Sequence, residues 1–339
     1  MGRNDTPAPT LYPLVFKPVL KDYIWGGRNL ERLGRVLPPG KIAESWEIAA
    51  HKDGDTVVIN GEFAGLRLSE LHERLGLDLI GEHNAWAQAR DKFPLLIKLL
   101  DAHEKLSVQV HPDDQYALAH EGNELGKTEM WVILHAEPDA AVVYGMRKGT
   151  TPERFGECIA DGTVESLLHV VPIHTGDFVC VPSGTVHAIL GGSLIAEVQQ
   201  NSNTTYRVFD WNRRQSDGTE RELHIRQALD VINFDLIEPS LNRPFPISGE
   251  HATIPGIKRW LLCKNRYFTT ERVVLSPHST YNGCCNGQTL EIWGVIEGEI
   301  QVNNTRLSAV QFVLLPAGLG PFELKPRGTA TCLRVYVED

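Results

Sequence analysis

The segment Leu-Ser-Val-Gln-Val-His at residues 106–111 alternates polar and apolar side chains as a β-strand does. Side chains two positions apart on a strand point to the same side. Ser107, Gln109 and His111 therefore share one face of this predicted strand. The proline that follows ends the strand or confines it to a sheet edge, because proline cannot donate to a strand ladder.

Two further strand-like segments carry a glutamate at the start and a histidine just past the end. Glu129 begins the run Glu-Met-Trp-Val-Ile-Leu, and His187 follows the run at 176–182. The apolar run at 93–100, Phe-Pro-Leu-Leu-Ile-Lys-Leu-Leu, predicts another strand. Short strands separated by Gly, Pro and Asn turns continue to the C-terminus, which predicts a mainly β chain with a few short helices.

The two imidazoles of His111 and His187, the carboxylate of Glu129 and the amide oxygen of Gln109 form a set of donors for a divalent ion. Nitrogen and oxygen donors without thiolate suit zinc, manganese or ferrous iron. A lone histidine on a strand is more often a satisfied polar residue than a ligand. The hypothesis of a metal site therefore depends on the pattern around His187.

That pattern is the spacing Gly176, Pro182, Gly184 and His187, or G-x5-P-x-G-x2-H. It resembles the second metal motif of the cupin superfamily. The first cupin motif has His-x-His followed by Glu, and Gln109-Val-His111 followed by Glu129 takes those places here.

The resemblance is closer to one cupin family, the type I mannose-6-phosphate isomerases, and it extends over four blocks in the same order. The interval between Glu129 and His187 is short, so the chain resembles the compact, bacterial-type form, which lacks a helical insertion. The blocks are Leu-Ser-Val-Gln-Val-His-Pro-Asp-Asp at 106–114, Gly-Lys-Thr-Glu-Met-Trp at 126–131, Pro-Ser-Gly-Thr-Val-His-Ala at 182–188 and Thr-Tyr-Arg-Val-Phe-Asp at 205–210, with Trp-Gly-Gly at 25–27 and Ala-Glu-Ser-Trp at 43–46 as flanking matches.

This resemblance implies one Zn²⁺ or other divalent ion per chain and the interconversion of mannose 6-phosphate and fructose 6-phosphate through an enediol or enediolate. By position Arg207 is the catalytic arginine, which would stabilise negative charge. Glu197, Lys127 and a metal-bound hydroxide remain alternatives for the group that moves the proton. Trp25 and Glu44 are expected in the wall of the pocket.

The phosphate of the substrate requires cations, and the resemblance implies where they stand. Arg213, six residues past Arg207, matches a basic position near phosphate in the family. Arg214 is adjacent, and only one of the two need point inward. Ser107 and Lys105 are the other residues expected on the substrate, and a guanidinium fork suits phosphate geometry. The alternative is that the two arginines are solvated loop charges.

Two domains are predicted, a catalytic cupin domain at 1–244 and a metal-free, cupin-like β domain at 245–339. Residues 238–249 contain three prolines and are expected to form the linker. In the second domain the place of the last ligand histidine is taken by Pro321, and Glu291 stands between apolar neighbours. No metal is expected there.

Composition excludes several classes of protein. The net charge of −10 argues against nucleic acid as a partner, since such proteins carry a basic surplus. No apolar run approaches the roughly 20 residues of a membrane helix, so no membrane partner is expected. The six cysteines form no C-x-x-C pair. They indicate a reducing, cytoplasmic setting. A monomer or a weak homo-oligomer is expected.

Two other functions fit the same fold, because a fold does not fix a reaction. A ferrous dioxygenase would use the same barrel, but Gln109 at a ligand position and the supply of Lys and Arg for phosphate argue against it. A non-catalytic sugar-phosphate-binding protein would not need the complete ligand set together with Arg207.

Overall fold

The structure, a computed structural model, describes residues 10–214, 218–248 and 254–338, and the prediction of a mainly β chain is confirmed. No closed barrel forms among these residues. The helices are α1 (Leu68–Leu75), α2 (Leu77–Ile80), α3 (Ala85–Gln88), α4 (Asp114–His120), α5 (Pro152–Ala160) and α6 (Ile225–Val231), with 3₁₀ turns at Asn29–Leu33, Glu82–Asn84 and Val164–Leu167. The strands are β1 (Phe16–Lys17), β2 (Val19–Lys21), β3 (Glu44–Ile48), β4 (Ala50–His51), β5 (Gly54–Asp55), β6 (Val57–Val58), β7 (Leu95–Ala102), β8 (Val108–Val110), β9 (Glu129–Ala136), β10 (Ala141–Met146), β11 (Leu168–Pro172), β12 (Phe178–Val181), β13 (His187–Ile189), β14 (Ser193–Gln200), β15 (Tyr206–Phe209), β16 (Phe245–Pro246), β17 (Ile257–Lys264), β18 (Thr269–Leu275), β19 (Tyr281–Cys285), β20 (Glu291–Glu297), β21 (Glu299–Val302), β22 (Thr305–Ser308), β23 (Phe312–Leu315), β24 (Gly320–Pro326) and β25 (Ala330–Tyr336).

The chain divides into two compact units, and neither is a single continuous segment. The central unit is Pro18–Thr56 with Lys92–Phe245. The terminal unit contains the described residues up to Lys17, the segment Val57–Asp91 and the described residues from Pro246 onward. Helices α1 to α3 therefore belong with the C-terminal strands. The predicted pair of domains at 1–244 and 245–339 stays a prediction, and position 249 of the expected linker lies outside the described residues.

The central unit is built on two antiparallel sheets. One has the order β11-β10-β13-β8-β15, and the other has the order β12-β9-β14-β7-β3-β2. A buried apolar cluster contains side chains of both, such as Val142 and Ile189 of the first sheet and Leu100, Ile133 and Ile195 of the second. The two sheets therefore face each other across a common core, which is how antiparallel sheets bury their apolar faces.

Helices α5 and α6 cover the opposite face of the five-stranded sheet. Phe155 of α5 and Ala228 of α6 are fully buried in a second apolar cluster with Val108 and Val143 of that sheet. Thr151 caps α5, as Pro at the next position predicts, by accepting a hydrogen bond from the Arg154 amide at 3.2 Å. The sheet that carries His187 is thus held rigidly from both sides.

The terminal unit repeats the arrangement of two sheets around a common core. Its sheets have the orders β16-β17-β18-β25-β20-β23 and β19-β24-β21-β22. The core between them includes Val273, Trp293 and Cys332 from the first sheet and Ile300 and Phe322 from the second. Among the described residues no helix is both long enough and apolar enough to cross a membrane.

Candidate metal centre

His111, Glu129 and His187 meet at one buried point of the central unit. His187 begins β13 and pairs with Gln109 of the neighbouring strand β8, and His111 directly follows β8. Glu129 begins β9 in the facing sheet. His111 Nε2 lies 3.1 Å from Glu129 Oε1, and His187 Nε2 lies 3.8 Å from Glu129 Oε2. All three potential ligand atoms lie within 4.8 Å of one another, and each residue is about 1% exposed.

The orientation of both imidazoles leaves Nε2 facing this point. Nδ1 of His111 lies 2.9 Å from the carbonyl oxygen of Thr204, and Nδ1 of His187 lies 2.9 Å from that of Thr185. A carbonyl can only accept, so each Nδ1 carries the proton and each Nε2 keeps its lone pair. Burial lowers the pKa of His187, and burial together with the charge of Lys127 lowers the pKa of His111 to about 3. Both rings are therefore neutral, as metal ligands must be.

Gln109 and Lys127 complete the surroundings of the three residues. The amide nitrogen of Gln109 lies 3.2 Å from His187 Nε2, and a half-turn of the amide would bring Oε1 to the same place. Lys127 Nζ lies 2.6 Å from Glu129 Oε1 and 3.2 Å from His111 Nε2. Burial opposes ionisation of Glu129, but the charge of Lys127 holds the pKa of its carboxyl well below the ordinary value.

The loop before Lys127 is fixed by two neighbouring aspartates, Asp113 and Asp114. Asp113 caps α4 by accepting from the Tyr116 amide at 2.8 Å. Oδ1 of Asp114 accepts from the Gly126 amide at 2.8 Å and from Gln200 at 3.0 Å. These bonds hold the residue before Lys127, so the ammonium stays at the buried point.

The donor set fits a divalent metal ion. Two neutral imidazole nitrogens, one buried carboxylate and one amide oxygen suit zinc, manganese or ferrous iron, and no thiolate is near. Within the described parts of the chain, His111, Glu129 and His187 are the one group of three or more His, Cys, Asp and Glu side chains close enough to hold an ion.

A cavity of about 310 Å³ opens beside this point. This volume is within the range of small-molecule sites. Its lining contains eight of the twelve residues predicted for the site. The residues that line it are Tyr23, Trp25, Glu44, Lys98, Leu100, Leu106, Ser107, Gln109, Lys127, Trp131, His187, Ile189, Glu197, Asn203, Thr205, Arg207 and Arg221.

Glu197, Lys98 and Glu44 form a row of charges along one wall of the cavity. Lys98 Nζ lies 3.6 Å from Glu197 Oε2 and 3.5 Å from Glu44 Oε2. Burial, and then the nearby charge of Glu129, raise the pKa of Glu197 to about 7. Burial alone would lower the pKa of Lys98, but the carboxylates of Glu44 and Glu197 hold it above the ordinary value. Glu197 is thus suited to take up and release a proton near neutral pH.

Arg207 lies on β15 at another part of the cavity and is half-buried. Its Nε donates to Ser107 Oγ at 3.3 Å, and its Nη1 donates to the carbonyl of Glu222 at 2.7 Å. Burial, and then the charge of Arg221, lower the pKa of Arg207 from its ordinary value. The group remains a cation at neutral pH because arginine ionises so far above it.

Lys105, Arg213 and Arg214 do not line the cavity. Lys105 is exposed, and its ammonium lies over the ring of Trp211, 4.4 Å from the centroid. Arg213 donates to Asp210 Oδ1 at 2.6 Å and also to the carbonyl of Lys105. Arg214 is exposed, with its Nη2 3.3 Å from a carboxylate oxygen of Glu220. Whether Arg213 and Lys105 meet a phosphate stays a prediction.

Five polar residues of the cavity were not predicted from the sequence: Tyr23, Lys98, Asn203, Thr205 and Arg221. Lys98 lies in the predicted strand at 93–100, which is confirmed as β7, and it is only 2% exposed. A single lysine inside an apolar run signals a buried charge, since lysine is almost never buried without a partner. Tyr23 and Arg221 lie on loops, where no periodic pattern marks them.

The family model and the relatives that match this chain are all phosphomannose or mannose-6-phosphate isomerases. Residues 14–125 match the family model described as "Phosphomannose isomerase type I, catalytic domain". "Mannose-6-phosphate isomerase ManA" of Bacillus subtilis (strain 168) is 40% identical over 328 residues, covering 96% of this chain and 98% of that protein. "Mannose-6-phosphate isomerase" of Streptococcus mutans is 39% identical over 265 residues, covering 78% of this chain and 79% of that protein.

Solved structures show the same fold. The crystal structure of the mannose 6-phosphate isomerase from Bacillus subtilis has a TM-score of 0.82 and 33% identity, covering 96% of this chain and 99% of that one. A variant of phosphomannose isomerase from Salmonella typhimurium has a TM-score of 0.76 at 17% identity, covering 96% of this chain and 100% of that one. The second likeness is one of fold alone.

Proposed function

Since the chain belongs to the type I mannose-6-phosphate isomerase family, we propose that it interconverts mannose 6-phosphate and fructose 6-phosphate by a metal-dependent proton transfer between C1 and C2. The observation that carries the proposal is the buried group of His111, Glu129 and His187 beside a cavity that also presents Glu197 and Arg207. The reaction passes through an enediol or enediolate of the sugar.

His111, Glu129, His187 and Gln109 would hold one Zn²⁺ or another divalent ion. When bound, such an ion supplies Lewis-acid stabilisation of negative charge on the sugar oxygens. The hydrogen bonds from the two Nδ1 atoms to Thr204 and Thr185 hold the rings in the orientation that coordination needs.

Glu197 is the group that we assign to the proton transfer. As a carboxylate it takes a proton from one carbon, and as a carboxylic acid it returns the proton to the other. A pKa raised to about 7 suits both steps near neutral pH. Lys98, 3.6 Å away, stabilises the carboxylate form, and Lys127 remains the alternative for contact with the sugar hydroxyls or for ring opening.

Arg207 stabilises the developing negative charge of the enediolate. Its guanidinium is fixed by Ser107 and by the Glu222 carbonyl, so no reorganisation is needed when the charge forms. Trp25 and Glu44 form part of the cavity wall and limit the access of water. Ser107 offers a hydroxyl to the substrate, and Lys105 and Arg213 remain expected near its phosphate.

A reducing, cytoplasmic setting fits the six cysteines, all of which are free thiols. A monomer or a weak homo-oligomer, with no nucleic-acid partner, remains the expectation from sequence.

The test is a coupled assay for conversion of mannose 6-phosphate to fructose 6-phosphate, repeated after chelation and after zinc is returned. We expect turnover that disappears with the chelator and returns with zinc. Turnover that survives complete removal of metal would overturn the metal dependence. No turnover in the metal-loaded protein would overturn the reaction, and tight sugar-phosphate binding without turnover would favour a binding protein instead.

A further inference from the structure

Asp210 lies between two arginines in the loop that follows β15. Arg221 donates from Nε to Asp210 Oδ2 at 2.8 Å and from Nη2 to Oδ1, and Arg213 donates from Nη2 to Oδ1 at 2.6 Å. One carboxylate therefore serves two guanidinium groups. With Arg207 nearby, three guanidinium groups face this one buried carboxylate, and the Glu222 carboxylate beside Arg207 is 84% exposed, so this corner keeps a positive surplus in a protein with a formal net charge of −10.

Arg213 and Arg221 both bind Asp210, but they differ in how many of their N–H donors already have a partner in the protein. Arg213 uses all three nitrogens on the protein, because its Nε donates to the Asp210 carbonyl at 3.3 Å and its Nη1 to the Lys105 carbonyl. Among the described residues, Arg221 has hydrogen-bond partners only for the edge that holds Nε and Nη2. An arginine has five N–H donors, so Nη1 of Arg221 keeps its donors for a ligand.

Arg221 also lines the cavity, and Arg213 does not. The segment that carries Arg221 runs beside β15, since the Arg207 guanidinium donates to the carbonyl of Glu222 and the His224 amide donates to the Arg207 carbonyl at 2.8 Å. Arg207 and Arg221 therefore belong to one corner of the cavity, away from the row of Glu197, Lys98 and Glu44.

Building on the proposed function, we propose that Arg221, held in place by Asp210, binds the phosphate of the substrate and sets the preference for phosphorylated sugars. A sugar phosphate carries close to two negative charges at pH 7, which suits the positive surplus of this corner. Asp210 acts through Arg221 and is a positioning residue. Arg213 contributes by sharing Asp210, which leaves the corner with a positive surplus.

The test compares Arg221→Ala and Arg221→Lys with Arg214→Ala. Arg214 is the matched control, because it is an exposed arginine of the same loop paired with Glu220. For Arg221→Ala we expect the KM for mannose 6-phosphate to rise about 10- to 100-fold, the loss expected for a charged hydrogen-bonded contact, with kcat changed less than about threefold. Arg221→Lys keeps the charge and loses the fork, so we expect an intermediate KM.

Inorganic phosphate provides a second measurement that does not require turnover. Bound phosphate is measured by isothermal titration of the metal-loaded protein, and the same affinity appears as competitive inhibition in the assay. We expect Arg221→Ala to weaken phosphate binding about 10- to 100-fold, and Arg214→Ala to leave it unchanged. Asp210→Asn should weaken it less than Arg221→Ala does, because the guanidinium remains.

Two outcomes would overturn the proposal. One is an unchanged KM and unchanged phosphate affinity in a folded Arg221→Ala variant. The other is an equal loss in Arg214→Ala. If the wild-type protein fails to isomerise mannose 6-phosphate, the proposed function falls, but phosphate titration of wild type against Arg221→Ala still decides the role of Arg221. A thermal unfolding midpoint equal to that of wild type shows that the variant is folded, and Arg221→Lys serves if the alanine variant is not.

Discussion

Each unit contains a buried strand that begins with Glu, an apolar residue and Trp. In the central unit these are Glu129 and Trp131 of β9, and in the terminal unit Glu291 and Trp293 of β20. In both, the indole Nε1 donates to the carboxylate two residues earlier, at 3.1 Å and 2.8 Å. The local structure is the same, so the difference in function must come from what surrounds each carboxylate.

Glu291 is closed off by an arginine. Arg334 donates from Nε and Nη2 to the two oxygens of Glu291 at 2.9 and 2.6 Å, and its guanidinium lies 4.2 Å from the ring centroid of Tyr336. Burial would lower the pKa of Arg334, but the charges of Glu291 and Glu271 hold it above its ordinary value. The fork engages both oxygens of Glu291, and the Trp293 N–H donates to one of them as well, so this carboxylate is surrounded by protons and has no other lone-pair donor beside it.

Glu129 faces two neutral imidazoles and a lysine instead. Imidazole nitrogens offer lone pairs, whereas a guanidinium offers only protons. The same Glu-x-Trp pattern is therefore a structural ion pair in one sheet and a candidate ligand site in the other. The chemistry of each carboxylate is therefore decided by the neighbours that other strands supply, β8 and β13 of the facing sheet for Glu129 and β25 of the same sheet for Glu291.

The largest effect should come from removing one imidazole. We expect His187→Ala to lower kcat/KM roughly a thousandfold or more, because Lewis-acid stabilisation is worth several kcal/mol. Metal content measured by elemental analysis should fall in parallel. His174→Ala is the control, since this side chain is 79% exposed. A His187→Ala protein that keeps full turnover would remove the functional difference between the two units.

The converse change acts on the terminal unit. Arg334→Met leaves Glu291 and Glu271 buried without their shared cation, and breaking a buried pair in this way costs about 3–5 kcal/mol. We expect the free energy of unfolding in urea to fall by that amount, with metal content and kcat of the folded protein unchanged. Arg327→Met, at an exposed pair with Glu299, should change stability by less than about 0.5 kcal/mol. A loss of metal in Arg334→Met would contradict the separation of roles.

Of the predicted residues that line the cavity, Glu44, Gln109, His187, Glu197 and Arg207 lie on strands, whereas Trp25, Ser107 and Lys127 lie outside them. Alternation places Gln109 and His111 on one face, and the strand Glu129–Ala136 begins at the predicted residue. The charged wall was found only in part, since Glu197 and Glu44 were expected there and Lys98 was not. Burial of a charge depends on partners from other strands, and those partners are not local in sequence.

Which segments make up each unit could not be predicted from the sequence, for the same reason. Helix α1 and its neighbours stand between strands of the central unit in the chain, yet they pack in the terminal unit. The Gly318 amide donates to the carbonyl of Asp78 and the Ala317 amide to that of Leu79, at 2.8 and 3.0 Å. Non-local backbone pairing of this kind leaves no periodic signal in either segment. Arg221 was missed because a loop has no period at all.

A matched pair of tryptophan substitutions tests the two carboxylates directly. Trp131→Phe removes the N–H that serves both Glu129 and Glu197, the latter at 3.0 Å. We expect metal affinity to fall about 10- to 100-fold, the usual cost of losing a group that orients a ligand. Trp293→Phe should cost about 1 kcal/mol of stability and leave metal affinity unchanged. Equal effects on metal affinity would contradict the distinction, and a chelator competition titration measures both.

The smallest effect is a shift in the pH dependence of turnover. Glu197 accepts a proton only as a carboxylate, so kcat should rise with pH through the pKa of its carboxyl, which burial and then Glu129 raise to about 7. A bound cation would offset the negative charge of Glu129. The rise of kcat with pH, which is the acidic limb of the pH profile, would then move to lower pH. The charge of Lys98 lowers the pKa of Glu197, so Lys98→Met should move the limb to higher pH by up to about one unit.

Two further variants test whether the positive charge at position 98, and not another effect of the substitution, sets the position of the acidic limb. Lys98→Arg keeps the cation, so its limb should coincide with that of wild type. Lys258→Met removes an exposed lysine of the terminal unit and should move nothing. If turnover of Lys98→Met is too low to follow, the carboxyl band of Glu197 in difference infrared spectra reports the same midpoint. A limb that stays fixed or moves to lower pH would mean that the Glu197 carboxylate is not the group that titrates, and the proton transfer would then pass to Lys127.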